Sequence, residues 1–207
     1  MIHKNVITDF VDKVFTPQID ETAFIHPLAA IIGHVFISKK VMVSPFASVR
    51  GDEGNPLFVG DESNVQDGVI IHALETELHG KPVIENRVEF DGKQYAVYIG
   101  KRVSLAHQVQ IHGPAIVGDD TFVGMKTLVF KTRIGDHCVV EPGCVLMGIE
   151  IAPGRYVPAG SVVKTQKDAD NLPEITDDYP MKALNQGVVH VNTSLADGYL
   201  KTDWQIS

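Results

Sequence analysis

One spacing constrains this chain more than any other feature: an aliphatic residue recurs at every sixth position. From Ile25 the steps fall on Ile31, Ile37, Val43 and Val49, and a second run takes Val59, Val65 and Ile71. A third run goes from Ile99 through Leu105, Ile111, Val117 and Val123 to Val129. Single steps of five then lead to Ile134, Val140 and Leu146, and to Ile151, Val157 and Val163. All 20 positions are Ile, Leu or Val, although those residues make up only 56 of 207. A period of six fits neither the α-helix nor simple strand alternation. It fits a triangular coil with one inward aliphatic per side, three hexads per turn, and turns stacked at the ~4.8 Å strand spacing. The expected fold is therefore mainly β: a parallel β-helix of hexapeptide repeats with about seven turns. A β-sandwich with chance spacing is a distant alternative. Glycine often follows the inward residue, as at Gly60, Gly100, Gly118, Gly124 and Gly135. Those glycines read as corners that need an unusual φ.

The interruptions are informative. Val49 to Val59 contains a four-residue excursion around Asp52 to Asn55, and Ile71 to Ile99 contains 22 extra residues. In that insert, VEF-DGK-QYAVY reads as a hairpin turning at Asp91-Gly92. Beyond Val163 the pattern stops. Apolar residues at Leu184, Val188, Val191, Leu195 and Tyr199 then follow helical spacing, with Asp177, Asp178 and Pro180 as start signals. The expected organisation is an N-terminal extension (1–24), a β-helix domain (25–164) with a loop insert (73–97), and a linker with a C-terminal helix packed on the same domain (165–207).

Composition narrows the partners. The net charge is −8 and no Lys/Arg-rich run exists, so nucleic acid is not an expected partner. No apolar run is long enough for a membrane helix. The opening segment, broken by Asp9, Asp12 and Lys13, lacks a signal-peptide core. The chain reads as cytoplasmic as it stands, or as exported if a leader has been removed. Cys138 and Cys144, the only cysteines, read as buried core thiols.

Of nine histidines, His72, His107 and His112 stand out once placed on the coil. His72 follows inward Ile71 and His112 follows inward Ile111; the 40 residues between them are one 18-residue turn plus the 22-residue insert. The two imidazoles therefore stack on one face, close enough to share an ion at about 2.0–2.1 Å. Arg50 precedes them in this column and Phe130 follows. His107 lies on the previous side of the triangle, turned away by a corner. A neighbouring subunit of a threefold assembly would bring it to the pair, giving a three-His site with one position open for water. All-nitrogen ligation suits Zn2+, and Fe2+ or Co2+ also fits. Asn64 and Gln66 flank inward Val65, while Glu53 and Glu75 border the histidine column, where a carboxylate can move protons.

The segments SVRGDEGNP (48–56), SNVQDGVIIHALE (63–75) and SLAHQVQIHGPA (104–115) closely resemble the γ-class carbonic anhydrases, most of all the archaeal methanogen type. The resemblance implies a left-handed β-helix, a homotrimer, and hydration of CO2 to bicarbonate by metal-bound hydroxide at subunit interfaces. It implies His72, His107 and His112 as metal ligands, Glu53 as acid/base and Glu75 as proton shuttle. Gln66 and Asn64 would hydrogen-bond around the reacting groups, Asn192 would line the site, and Arg50 and Asp52 would pair across the trimer interface. The chain departs from the family pattern at His190. Two other readings stand beside this one: a hexapeptide-repeat acyltransferase, and a non-catalytic structural or scaffold β-helix.

Overall fold

A coil held together by one inward side chain per strand needs every side to pair with the turns above and below. A computed structural model, which describes residues 1–202, shows that pairing on three sides. Sheet A has eight parallel strands and includes Ser48–Gly51, Ile70–His72, Gln110–His112 and Leu128–Phe130. Sheet B has seven and includes Leu57–Val59, Val97–Ile99 and Ala115–Val117; sheet C has seven and includes Met42–Val43, Asn64–Val65 and Ser104–Leu105. Of the twenty aliphatics in the repeat, nineteen are buried; Ile25, in the first strand of sheet C, is half-buried. They form one continuous core down the axis.

The stack has about eight turns rather than seven, because the N-terminal extension joins it. Ile2 pairs with Ile31 on sheet A, and Ile19 pairs with Ile37 on sheet B. The glycine reading is corrected. Gly60, Gly100, Gly118, Gly124 and Gly135 do not have positive φ; each is required because the neighbouring coil passes too close for a Cβ. The left-handed conformation falls two residues later, at Glu62, Arg102, Asp120, Lys126 and His137.

The hairpin forms as expected. Val88–Phe90 pairs antiparallel with Lys93–Tyr95 through Asp91 and Gly92, both at positive φ. It packs on the outside of sheet B, where Phe90 stacks on Tyr98 at 3.9 Å. Cys138 and Cys144 are free and buried.

The polar linker contains a short helix, α1 (Gln166–Asp170), capped by the Thr165 side chain. The C-terminal helix, α2 (Leu184–Lys201), lies along sheet C and meets four of its strands. Its start is not capped by Asp177 or Asp178. The buried face differs in part from expectation. Leu184 and Val188 pack against the coil, and Tyr199, though exposed, stacks on Phe24 at 4.8 Å. Val191 and Leu195 are exposed, however, and Asn185, Val189, Asn192 and Ala196 are the buried residues. The helix is rotated toward polar partners, since Asn185 Nδ2 donates to the Arg102 carbonyl at 2.7 Å. Among the described residues no helix is long and apolar enough to cross a membrane.

Candidate metal centre

Parallel stacking turns an 18-residue spacing into a side-by-side contact, and sheet A does this for the histidines. Ile71 pairs with Ile111 and His72 with His112, so the two imidazoles project from one face with centroids 5.5 Å apart. The column continues into Phe130, directly opposite His112. Ile71 also pairs with Val49, which puts Arg50 next to His72 on the other side.

Within the chain, Arg50 Nε and Nη2 donate to Asp52 Oδ2 at 3.1 and 2.9 Å. The other Asp52 oxygen lies 3.2 Å from His72 Nε2, and Glu53 Oε1 lies 3.5 Å from the same nitrogen. Burial alone would raise the pKa of Asp52, but hydrogen bonds from His72 and Arg50 outweigh it and hold the group below its usual value. Glu53 behaves oppositely. Burial raises its pKa, and although His72 opposes this, Asp52 and Glu75 reinforce it. A carboxyl whose pKa is moved toward neutrality is suited to passing a proton in both directions.

His107 stands at the corner after the sheet C strand Ser104–Leu105 and is exposed. Its Nδ1 contacts Asp67 Oδ2 at 3.0 Å. That partner escaped the sequence reading, although Asp67 and His107 are 40 residues apart, the same interval that stacks His72 on His112. His112 Nδ1 contacts the Gly113 carbonyl at 3.2 Å, and burial lowers its pKa, which favours the neutral ring that can ligate a cation. On both residues the partnered Nδ1 leaves Nε2 for an ion, the arrangement common to metal-binding histidines. His72 directs Nε2 toward two carboxylates. This donor set fits a divalent metal. Among the described residues, no group of three ligands converges within the single chain.

Beside the corner, Gln66 Nε2 donates to Asn64 Oδ1 at 2.9 Å and Asn64 Nδ2 donates to Ser104 Oγ at 2.8 Å, all three buried. Asn192 is buried on α2, between Val188, which packs with Ala106 and Phe122, and Ala196, which packs with Met42. Its Nδ2 donates back to the Val188 carbonyl.

No family model matches the chain. Over 202 residues it is 56% identical to the carbonic anhydrase of Methanosarcina thermophila, across 97% of this chain and 82% of that protein. It belongs to the γ-class carbonic anhydrases. The enzyme is thus a lyase that interconverts CO2 and bicarbonate. It is also 40% identical over 183 residues to a carboxysome assembly protein of Nostoc, covering 88% of this chain but 31% of that much longer one. Among solved structures, a hexapeptide transferase family protein from Anaplasma phagocytophilum superposes with a TM-score of 0.67 at 24% identity, over 89% of this chain and 93% of that one. That likeness speaks to the fold alone: the carbonic anhydrase is a left-handed hexapeptide-repeat β-helix.

Proposed function

We propose that this carbonic anhydrase works as a homotrimer with a metal ion at each subunit interface, held by His72 and His112 of one chain and His107 of its neighbour. The observation that carries this reading is the stacked His72–His112 pair beside Glu53, with His107 directed outward from the adjoining corner. The outer face of sheet A supports the assembly. It leaves Ile70 exposed beside the histidines and Met147 and Val162 exposed further along the same sheet, the kind of apolar surface that a second copy covers.

Three imidazoles with an open fourth position suit Zn2+, and Fe2+ or Co2+ accepts the same donors. Such an ion, when bound, acidifies water enough to supply the nucleophile for CO2 at neutral pH. Everything else falls to the chain. Asp67 and the Gly113 carbonyl orient His107 and His112. Gln66 and Asn64, locked to Ser104, present fixed polar groups to the reacting oxygens. Glu53 takes up the proton released in hydration, and Glu75 passes it to buffer. The sidedness of Asn192, level with Asn64 along the coil, fits a wall of the same pocket. CO2 offers almost no polar handle, so positioned proton transfer matters more here than substrate binding.

Stopped-flow CO2 hydration with metal analysis, on protein prepared without oxygen, tests the reading. One metal per chain and hydration activity that is lost on chelation and regained on adding metal support it. Full metal stoichiometry in His107→Ala would overturn the shared site.

A further inference from the structure

The two glutamates of the proposed proton path sit on separate loops, and neither loop belongs to the regular coil. Glu53 lies in the excursion after Gly51; Glu75 lies where the long insert leaves sheet A. What holds them in register is a single buried residue, Thr76, which is 0% exposed.

Every polar atom of Thr76 is engaged. Its amide donates to the Glu53 carbonyl at 2.9 Å, and its Oγ1 donates to the same oxygen at 3.1 Å. The hydroxyl also accepts from the Asn55 amide at 2.6 Å. Its carbonyl accepts from Arg87 through Nε at 3.0 Å and Nη2 at 2.6 Å. The residue between the bonded pair, Gly54, has φ +107°, and a Cβ there would fall 2.3 Å from Thr76 Oγ1. The excursion is thus wrapped around the hydroxyl. Asn86 Nδ2 holds the neighbouring Glu75 carbonyl at 2.8 Å, so the insert braces the second glutamate as well.

We infer that Thr76 is a positioning residue for proton transfer: its hydroxyl clamps the Glu53 loop to the Glu75 loop and so fixes the gap the proton must cross. This rests on the reading of the chain as a carbonic anhydrase using both glutamates. Replacing this buried hydroxyl by an apolar group of equal size orphans the Asn55 amide and leaves the Glu53 carbonyl held by the Thr76 amide alone. Proton transfer between carboxyls is steeply sensitive to their spacing.

The test compares Thr76→Val, which keeps shape and loses the hydroxyl, with Thr76→Ser, which keeps the hydroxyl. Amide exchange is followed by mass spectrometry on the metal-loaded proteins, with metal content and oligomeric size as controls. In Thr76→Val we expect exchange across residues 53–55 to quicken about tenfold, because opening of the clamp becomes local and cheap. We expect kcat to fall about tenfold with a smaller change in kcat/KM, and concentrated imidazole buffer to restore part of kcat by carrying the proton itself. Thr76→Ser should stay within about twofold of the parent in both measurements. Unchanged exchange and unchanged kcat in Thr76→Val would overturn the inference. Should Thr76→Val fail to fold, Arg87→Met, which leaves the Thr76 carbonyl with only the Val83 amide at 2.9 Å, carries the same expectations in weaker form, and its failure to alter either readout overturns the clamp. A parent protein without hydration activity refutes the functional reading instead, and the exchange data still judge the clamp alone.

Discussion

His72 and His112 stand opposite one another on neighbouring coils, their rings 5.5 Å apart and nearly perpendicular, while His107 points away from both around a corner. The proposed sharing of the metal site between subunits makes a specific genetic prediction. His72→Ala and His107→Ala should each be inactive alone. Mixed and reassembled together, they should regain activity, since about a quarter of the interfaces then combine one intact half from each chain in a closed threefold ring. Activity of the remixed sample, measured against each variant carried through the same treatment, decides it. No recovery would point to ligands drawn from one chain.

The two glutamates should separate by step. Glu53→Gln removes the carboxyl that burial raises toward the working range, and hydration should fall about a hundredfold or more, the usual contribution of a positioned acid/base. Glu75→Ala should lower kcat chiefly at low buffer, with recovery as imidazole is added. If Glu75→Ala activity is unchanged and indifferent to buffer concentration, the shuttle role is wrong.

Much of this arrangement was legible because a coil leaves little freedom. Once Ile71 and Ile111 must both point inward, His72 and His112 have only one place to go. The same arithmetic could have found Asp67 beneath His107, but a lone aspartate carries no spacing signal of its own. Thr76 was hidden for another reason: its partners, Glu53, Asn55 and Arg87, are chosen by how two irregular loops fold on each other. The first turn was missed because Ile2 and Ile19 are joined by a segment without hexads, tied instead through Asn5 to Phe15 and Lys13. On α2 the apolar stripe held at Leu184 and Val188 but not at Val191 and Leu195, because the Arg102 carbonyl beside sheet C draws Asn185 inward.

The polar relay from Gln66 through Asn64 to Ser104 should be costly to break although no part of it belongs to the aliphatic core. Ser104→Ala leaves the buried Asn64 amide without an acceptor, and the expected loss is about 1–3 kcal/mol. Urea unfolding, read as a drop in midpoint at constant slope, measures it. Asn64→Leu together with Ser104→Ala should cost less than the sum of the two changes, because both partners then go.

Asp120 supplies the pH dependence. Arg102 grips both its oxygens, at 2.6 and 2.7 Å, and this hydrogen bonding, opposed in part by burial, lowers the carboxyl pKa. A carboxyl depressed in the folded state contributes stability above its unfolded pKa of about 3.9, and loses it as pH falls through the folded value. Asp120→Asn should therefore be less stable than the parent at pH 7, by no more than about 1 kcal/mol for so exposed a pair. In acid, once the pH has fallen through the depressed folded value, the two proteins should converge. Thermal midpoints at pH 7 and in acid test the sign; a gap that widens in acid would contradict it.

The corners allow a sharper contrast between two positions of one corner. Gly124 has ordinary φ, but an added Cβ would lie 2.6 Å from Pro142 N and 2.8 Å from both Glu141 C and Val140 O, all backbone of the next coil. Lys126, two residues on, is exposed and holds φ +59°. If closeness of the coils is what demands glycine, Gly124→Ala should destabilise by about 1–3 kcal/mol, since stacked backbone cannot step aside. Lys126→Gly should change stability by less than about 1 kcal/mol, because relief of the left-handed conformation offsets the added freedom of the unfolded chain. Thermal scans of the two variants at equal protein concentration separate these effects. A Gly124→Ala protein as stable as its parent would mean that the coils can part, and the stack would be softer than its register implies.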